Sequence, residues 1–136
     1  MLFRSKGHIE STYDVCTGIC TITDESEYTS QSVVKVVIDN YDCAMYFSRA
    51  PIPMHRDSDF STSTIIYKHI GVYSYKLDVL QYFTELSQST YESIEKLEQL
   101  RLLEKGKKYL CIKLDYDGFG IDTPDDYQQA INRLHK

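Results

Sequence analysis

Glu98 and Arg101 stand three residues apart in a segment, 90–104, that otherwise reads as an apolar-periodic helix. Ile94 and Leu97 define one side of that helix, with Tyr91 and Leu102 nearby, and both charges fall between these apolar residues instead of opposite them. Two arrangements fit: an ion pair whose stems pack on the core, or a polar constellation aimed into a cleft. Periodicity by itself favours the ion pair. Lys68 and His69 interrupt the apolar run 65–75, and strand alternation sends them to opposite faces. A hydrogen-bonded structural histidine is the default for His69. Arg49 follows Tyr46-Phe47-Ser48 and precedes the break Pro51-Ile52-Pro53. Ligand contacts gather at strand ends in α/β sheets, and an arginine there either clamps a carboxylate or phosphate with paired donors or stands as a solvated charge. Asp117, Asp122, Asp125 and Asp126 form an acidic cluster. Asp125 and Asp126 suit the positive end of a helix, whereas Asp122 lies before the cap. One or two carboxylates bringing magnesium to substrate phosphates is the usual arrangement for that ion.

Other chemistries find no support in the spacing. His8, His55, His69 and His135 form neither HxxxH nor HExxH, and Cys16, Cys20, Cys43 and Cys111 contain no CxxC pair. Cys16 and Cys20 share a strand face but lie too far apart to bridge, so buried thiols in a reducing compartment are expected. The glycines form no phosphate-binding loop of either common type, and Gly118-Phe119-Gly120 reads as a turn.

The elements that must carry these residues follow from local pattern. Residues 1–12 are polar and weakly patterned, then Val15 to Ile22 reads as a strand. Residues 24–32 read as a loop. Val33 to Ile38 and Ala44 to Phe47 read as a hairpin turned at Asn40-Tyr41-Asp42. A polar loop, 54–64, leads to the long strand 65–75 and a short helix, 76–84. Ser89 and Glu92 have the spacing of a capping box before the helix 90–104, and Gly106 fits the residue just past its end. Tyr109 to Leu114 is a further strand. Thr123 caps and Pro124 opens a last helix that runs to about Leu134. Strands and helices mix without strict alternation, which predicts an α/β chain with a mixed sheet.

A chain of 136 residues has the length of one domain, 1–136, and its charged fraction of 26% is that of a globular protein. The net charge of −5 gives no electrostatic grip on nucleic acid, and no apolar run is long enough to span a bilayer. The first residues lack the apolar stretch of a signal peptide, so a cytoplasmic protein is expected.

Five segments in order carry a resemblance. They are Val34-Lys35-Val36-Val37-Ile38-Asp39, Ala44 to Pro53, Lys68 to Tyr75, Leu97 to Gly106, and Gly120-Ile121-Asp122-Thr123-Pro124-Asp125-Asp126. Over roughly residues 14–134 the chain resembles 3-deoxy-manno-octulosonate cytidylyltransferase, or CMP-KDO synthetase. That family couples CTP to the eight-carbon sugar acid KDO, giving CMP-KDO and pyrophosphate for lipopolysaccharide synthesis. The resemblance implies a partial nucleotide-diphospho-sugar transferase-like (Rossmann-like) fold whose N-terminal nucleotide-binding half is missing. It implies that Asp122 binds Mg2+, and that Arg49, His69, Tyr73, Glu98 and Gln99 line the sugar-acid pocket. It also implies a homodimer with the hairpin around 33–49 in the contact. The basic CTP loop and second magnesium aspartate of the family have no counterpart here, so the chain is expected to begin in the middle of the fold and not to complete the reaction alone. Asp42 stands where the family has a turn glycine, and Ser89-Thr90-Tyr91-Glu92 replaces the more usual SPLE. A non-catalytic sugar-acid-binding or dimerisation module, and a cytidylyltransferase fragment for another sugar acid, are the alternatives.

Overall fold

Val15-Cys16-Thr17-Gly18-Ile19-Cys20-Thr21 forms β1, a strand buried over most of its length. The computed structural model describes residues 13–61, 63–115 and 124–134. Strand β1 runs between two neighbours, so it reads as a continuous run of small and apolar residues without polar alternation. The elements after it are α1 (Glu25–Thr29), β2 (Lys35–Ile38), β3 (Ala44–Ser48), β4 (Tyr67–Tyr75), α2 (Leu77–Glu85), α3 (Thr90–Glu95), α4 (Gln99–Glu104), β5 (Tyr109–Lys113) and α5 (Pro124–Leu134). The strand order is β3-β2-β4-β1-β5. Among the described residues the β1–β5 pair is parallel, and β1–β4, β2–β3 and β2–β4 are antiparallel. The mixed sheet expected from the sequence is present.

The hairpin is present too. Asp39 shapes its turn by accepting from the backbone N–H groups of Tyr41 and Cys43 at 2.8 and 2.9 Å. Asp42 holds a left-handed φ of 60°, which an aspartate tolerates better than most side chains. Gly18 has a packing reason. A Cβ there would lie 2.8 Å from Leu114 Cδ1 and 3.2 Å from Ile70 Cβ, where β1 and β4 change register.

Two expectations fail. Residues 24–32 contain a five-residue helix, α1, whose N-cap Asp24 accepts from Ser26 N–H at 2.8 Å. Only Tyr28 of α1 is buried, so so short an element shows no apolar period. More important, 90–104 is not one helix. Lys96 sits in the left-handed region (φ 55°, ψ 47°) and divides it into α3 and α4. The apolar face drawn on a single helix therefore does not exist. Ile94 and Tyr91 are exposed, whereas Leu97, Leu100 and Leu102 are buried.

These leucines close the main core with Val15, Ile19, Val36, Phe47 and Tyr109. A smaller cluster of Ile22, Tyr28 and Ile66 packs with Phe60 under the 54–64 loop. Cys16, Cys43 and Cys111 are free thiols, as expected, and burial pushes the Cys111 thiol up to about 12. Among the described residues no helix is long and apolar enough to cross a membrane.

Candidate functional site

Arg49 directly follows β3, and its side chain explains why the helix breaks at Lys96. Its Nε donates to Glu95 O at 2.9 Å, Nη2 to Lys96 O at 3.3 Å and Nη1 to Gln31 O at 3.0 Å. A helix leaves its last carbonyls without partners at its negative end, and a guanidinium answers both needs. The Glu95 carboxylate locks the same corner from the other side. It accepts from Ser48 Oγ at 2.7 Å, from Arg49 N–H at 3.0 Å and from Tyr46 OH at 3.4 Å. Behind them Lys35 is fully buried, and its Nζ donates to Ser30 O, Val33 O and Arg49 O within 2.7 Å. Burial, with the Arg49 charge adding to it, lowers the Lys35 pKa. Three of the five N–H bonds of Arg49 are committed to carbonyls, which leaves two.

The corner delivers Leu97, Glu98 and Gln99. Leu97 anchors in the core, Glu98 is exposed and Gln99 is buried. Gln99 is 6% exposed, and its amide is not one of the enclosed side-chain groups that lack a partner. Glu98 does not pair with Arg101 through the helical spacing anticipated above. Arg101 instead grips Glu92 with Nε at 2.8 Å and Nη2 at 2.5 Å, and lies over the Phe83 ring at 4.6 Å. Glu92 also accepts from Ser89 N–H at 3.0 Å, so the glutamate arm of the capping box is made. Its hydrogen bonds to Arg101 hold its carboxyl below the usual range. Glu98 is thereby left toward β4, where its charge reaches Tyr73 and Tyr75.

On β4 the face opposite Lys68 carries His69, Tyr73 and Tyr75. Lys68 pairs with Glu27 at 2.5 Å on the other face, as alternation requires. His69 Nε2 lies 2.8 Å from Thr17 Oγ1, and the Thr17 hydroxyl donates to Val72 O at 3.0 Å. With its one proton spent on that carbonyl, Thr17 accepts from His69, so Nε2 carries the hydrogen and Nδ1 presents a lone pair. Burial lowers the His69 pKa to about 4, which leaves the ring neutral at pH 7. The ring lies against Phe47 at 5.0 Å and Tyr73 at 5.4 Å. Burial raises the Tyr73 phenol well above its ordinary pKa, with Tyr75 and then Glu98 adding to the effect. Tyr109 stands behind Tyr75, and its hydroxyl is buried without a partner of good geometry.

His69, Tyr73 and Glu98 thus come to one region, Gln99 follows Glu98 at the start of α4, and Arg49 is bound to the Lys96 corner. Asp122 lies outside the described residues. Thr17, Tyr75 and Tyr109 were missed by sequence reasoning; only the odd-numbered parity of Tyr75 with Tyr73 hinted at one of them. Together the groups offer a lone pair, a phenolic hydrogen, an amide, a carboxylate and two spare guanidinium N–H bonds. This suits a ligand rich in hydroxyls that also carries an acid. None is an activated nucleophile. An open cleft of ≈ 490 Å³ near Asp39, Tyr41, Lys107 and Lys108 involves none of these residues.

A sequence model of the cytidylyltransferase family matches residues 6–109. A 3-deoxy-manno-octulosonate cytidylyltransferase of Wolinella succinogenes is 48% identical over 107 residues, 79% of this chain and 44% of that protein. Its counterpart in Thermodesulfovibrio yellowstonii is 46% identical over 117 residues, 84% of this chain and 46% of that protein. A solved structure of CMP:2-keto-3-deoxy-manno-octonic acid synthetase complexed with CTP superposes with a TM-score of 0.79 at 35% identity, over 91% of this chain and 50% of that one. The expected nucleotide-sugar transferase-like fold is the one observed, and the chain spans about half the length of the curated relatives it matches. With more than half of its residues matched by the family's sequence pattern, the chain belongs to the cytidylyltransferase family.

Proposed function

We propose that this chain is the sugar-acid half of an enzyme that transfers CMP from CTP to KDO, releasing pyrophosphate and supplying a lipopolysaccharide precursor. The observation that carries the reading is the meeting of His69, Tyr73 and the Glu98 charge at β4, in a chain 48% identical to a 3-deoxy-manno-octulosonate cytidylyltransferase. In the reaction the anomeric hydroxyl of the sugar acid attacks the α-phosphate of CTP and pyrophosphate leaves. The chain's own residues bind and orient the acid. Arg49 turns its two spare N–H bonds to the carboxylate, and His69, Tyr73, Glu98 and Gln99 hold hydroxyls. Neutral His69 acts here as an acceptor through Nδ1, not as an acid.

Magnesium belongs to the same proposal. When bound it neutralises charge on the phosphates. Among the described residues no cluster of three or more histidine, cysteine or acidic side chains could hold a metal. Asp122 is the residue of this chain that would hold magnesium, and a single carboxylate suits an ion that takes the rest of its shell from phosphates and water. CTP binding falls to a nucleotide half outside this chain. A homodimer through the hairpin is part of the reading, supported by the exposure of Tyr41 and Met45, and so is a cytoplasmic location.

Pyrophosphate release from CTP, KDO and magnesium tests the proposal. The chain alone should release none. Mixed with the nucleotide half of a curated relative it should release pyrophosphate, and Asp122→Ala should abolish that. Release by the chain alone, or none from the mixture with KDO or any other sugar acid, contradicts it.

A further inference from the structure

Strand β4 departs from regular pairing at one point. Thr17 on β1 faces Tyr73 and the next residue, Gly18, faces Ile70, so Gly71 and Val72 form a bulge without a counterpart on β1. Residues four apart on a regular strand are about 13 Å from one another. The bulge takes up two of those steps, and the His69 and Tyr73 rings lie 5.4 Å apart, centre to centre. Their partners on β1, Ile19 and Thr17, are two residues apart and share a face. His69, Tyr73 and the Thr17 side chain therefore stand together on that face of the sheet.

The bulge also brings two carbonyls to one hydroxyl. Thr17 is 3% exposed, and its Oγ1 lies 3.0 Å from Val72 O and 3.4 Å from Ile70 O. Both carbonyls only accept, so the single hydroxyl hydrogen is held on that side. What Oγ1 has left is lone-pair density, and His69 Nε2 meets it at 2.8 Å. A neutral imidazole has one N–H, and with that N–H given to Thr17 the other nitrogen, Nδ1, can only accept. The backbone of β4 thus dictates, through one threonine, where a proton sits on a neighbouring ring.

We propose that Thr17 is a positioning residue that sets the ligand preference of this site: by holding His69 in the Nε2–H tautomer it makes Nδ1 a reader of hydrogen-bond donors, and so of one ligand hydroxyl. This rests on the reading above that His69 faces a sugar acid. A nitrogen that only accepts favours a hydroxyl and offers nothing to a carboxylate or a carbonyl, whose oxygens set lone pairs against its own. The acid group of the ligand is thereby turned away from His69, by a residue that acts only through the ring. A site built to bond a hydroxyl discriminates against the analogue that lacks it, because its own polar group is then left unpaired.

The test is nitrogen NMR of the isotope-labelled imidazole rings in the full chain, followed by titration with KDO and its monodeoxy analogues. The His69 ring should be the Nε2–H tautomer. Thr17→Val, which keeps the shape of the side chain and removes its hydroxyl, should release the ring into a mixture that contains the Nδ1–H form, and Thr17→Ser should restore the Nε2–H form. The wild type should bind one monodeoxy analogue about 10-fold or more weakly than KDO. Thr17→Val should bind KDO about as weakly as that analogue and lose most of the discrimination between the two, whereas Thr17→Ser should keep it. Three results overturn the inference while the sugar-acid reading stands: an Nδ1–H ring in the wild type, an unchanged tautomer and discrimination in Thr17→Val, or an equal loss for KDO and every analogue, as a merely structural role would give. No binding of KDO by a chain whose ring is the Nε2–H form overturns the function proposed above, and the ligand preference falls with it.

Discussion

At the scale of single residues the site rests on side chains whose partners are fixed. His69 is buried and neutral, with a pKa near 4 against an ordinary 6.5. The unfolded chain takes up a proton on this ring at a higher pH than the folded one does. Its contribution to stability is therefore complete above pH 6.5 and is lost as pH falls toward 4. The full difference is on the order of 3 kcal/mol. Melting temperature measured from pH 7 to pH 4 should fall, and His69→Gln should show a shallower slope over that window. An unchanged slope in the variant would mean that other groups govern the transition. The Glu92–Arg101 pair gives a second prediction. Arg101→Met leaves the Glu92 carboxylate buried without its cation and should cost about 3 kcal/mol in denaturant unfolding. The double variant Glu92→Leu with Arg101→Met should recover most of that loss. A double variant as weak as the single one would contradict this account of the pair.

At the scale of elements the decisive feature is the corner at Lys96. A lysine in the left-handed region is strained, and Lys96→Gly should stabilise the fold by roughly 0.5–1 kcal/mol while keeping the corner. Gly106 is the opposite case. Its φ of 77° closes α4, with Lys107 N–H on Leu102 O and Gly106 N–H on Leu103 O, so Gly106→Ala should cost about 1 kcal/mol. Equilibrium unfolding checks both, and the signs must differ. Gly106 was legible in the sequence because glycine announces a left-handed cap. Lys96 was not, because nothing local breaks the helical pattern there. The break is imposed by Arg49 and Glu95, two charges that come from opposite sides of a tertiary contact. Strands β1 and β2 were legible from β-branched runs, and β3, β4 and β5 from apolar and aromatic runs between turns, whereas α1 was too short and too polar to be seen.

At the scale of the whole molecule the resemblance located more than the periodicity did. Helical spacing joined Glu98 to Arg101, but Arg101 gives its direct ion pair to Glu92, and the Glu98 charge acts on Arg101 and the β4 tyrosines without a direct bond to either. The ordered motifs grouped Arg49, His69, Tyr73, Glu98 and Gln99; in the structure His69 lies against Tyr73, the Glu98 charge reaches Tyr73, and Arg49 is bound to the Lys96 corner. Thr17, Tyr75 and Tyr109 escaped because their partners come from strands distant in sequence, information that no single segment holds. The magnesium expectation at Asp122 lies outside the described residues. On the proposed function this chain receives a sugar acid and leaves the nucleotide chemistry to a second half. Titration of isotope-labelled chain with KDO, followed by amide and side-chain NMR, tests that claim most directly. Saturable shifts at His69, Tyr73 and the Gln99 side-chain amide, weakened about 10-fold in Gln99→Ala, are the predicted result. Shifts confined to other regions, or none at millimolar sugar acid, would contradict it.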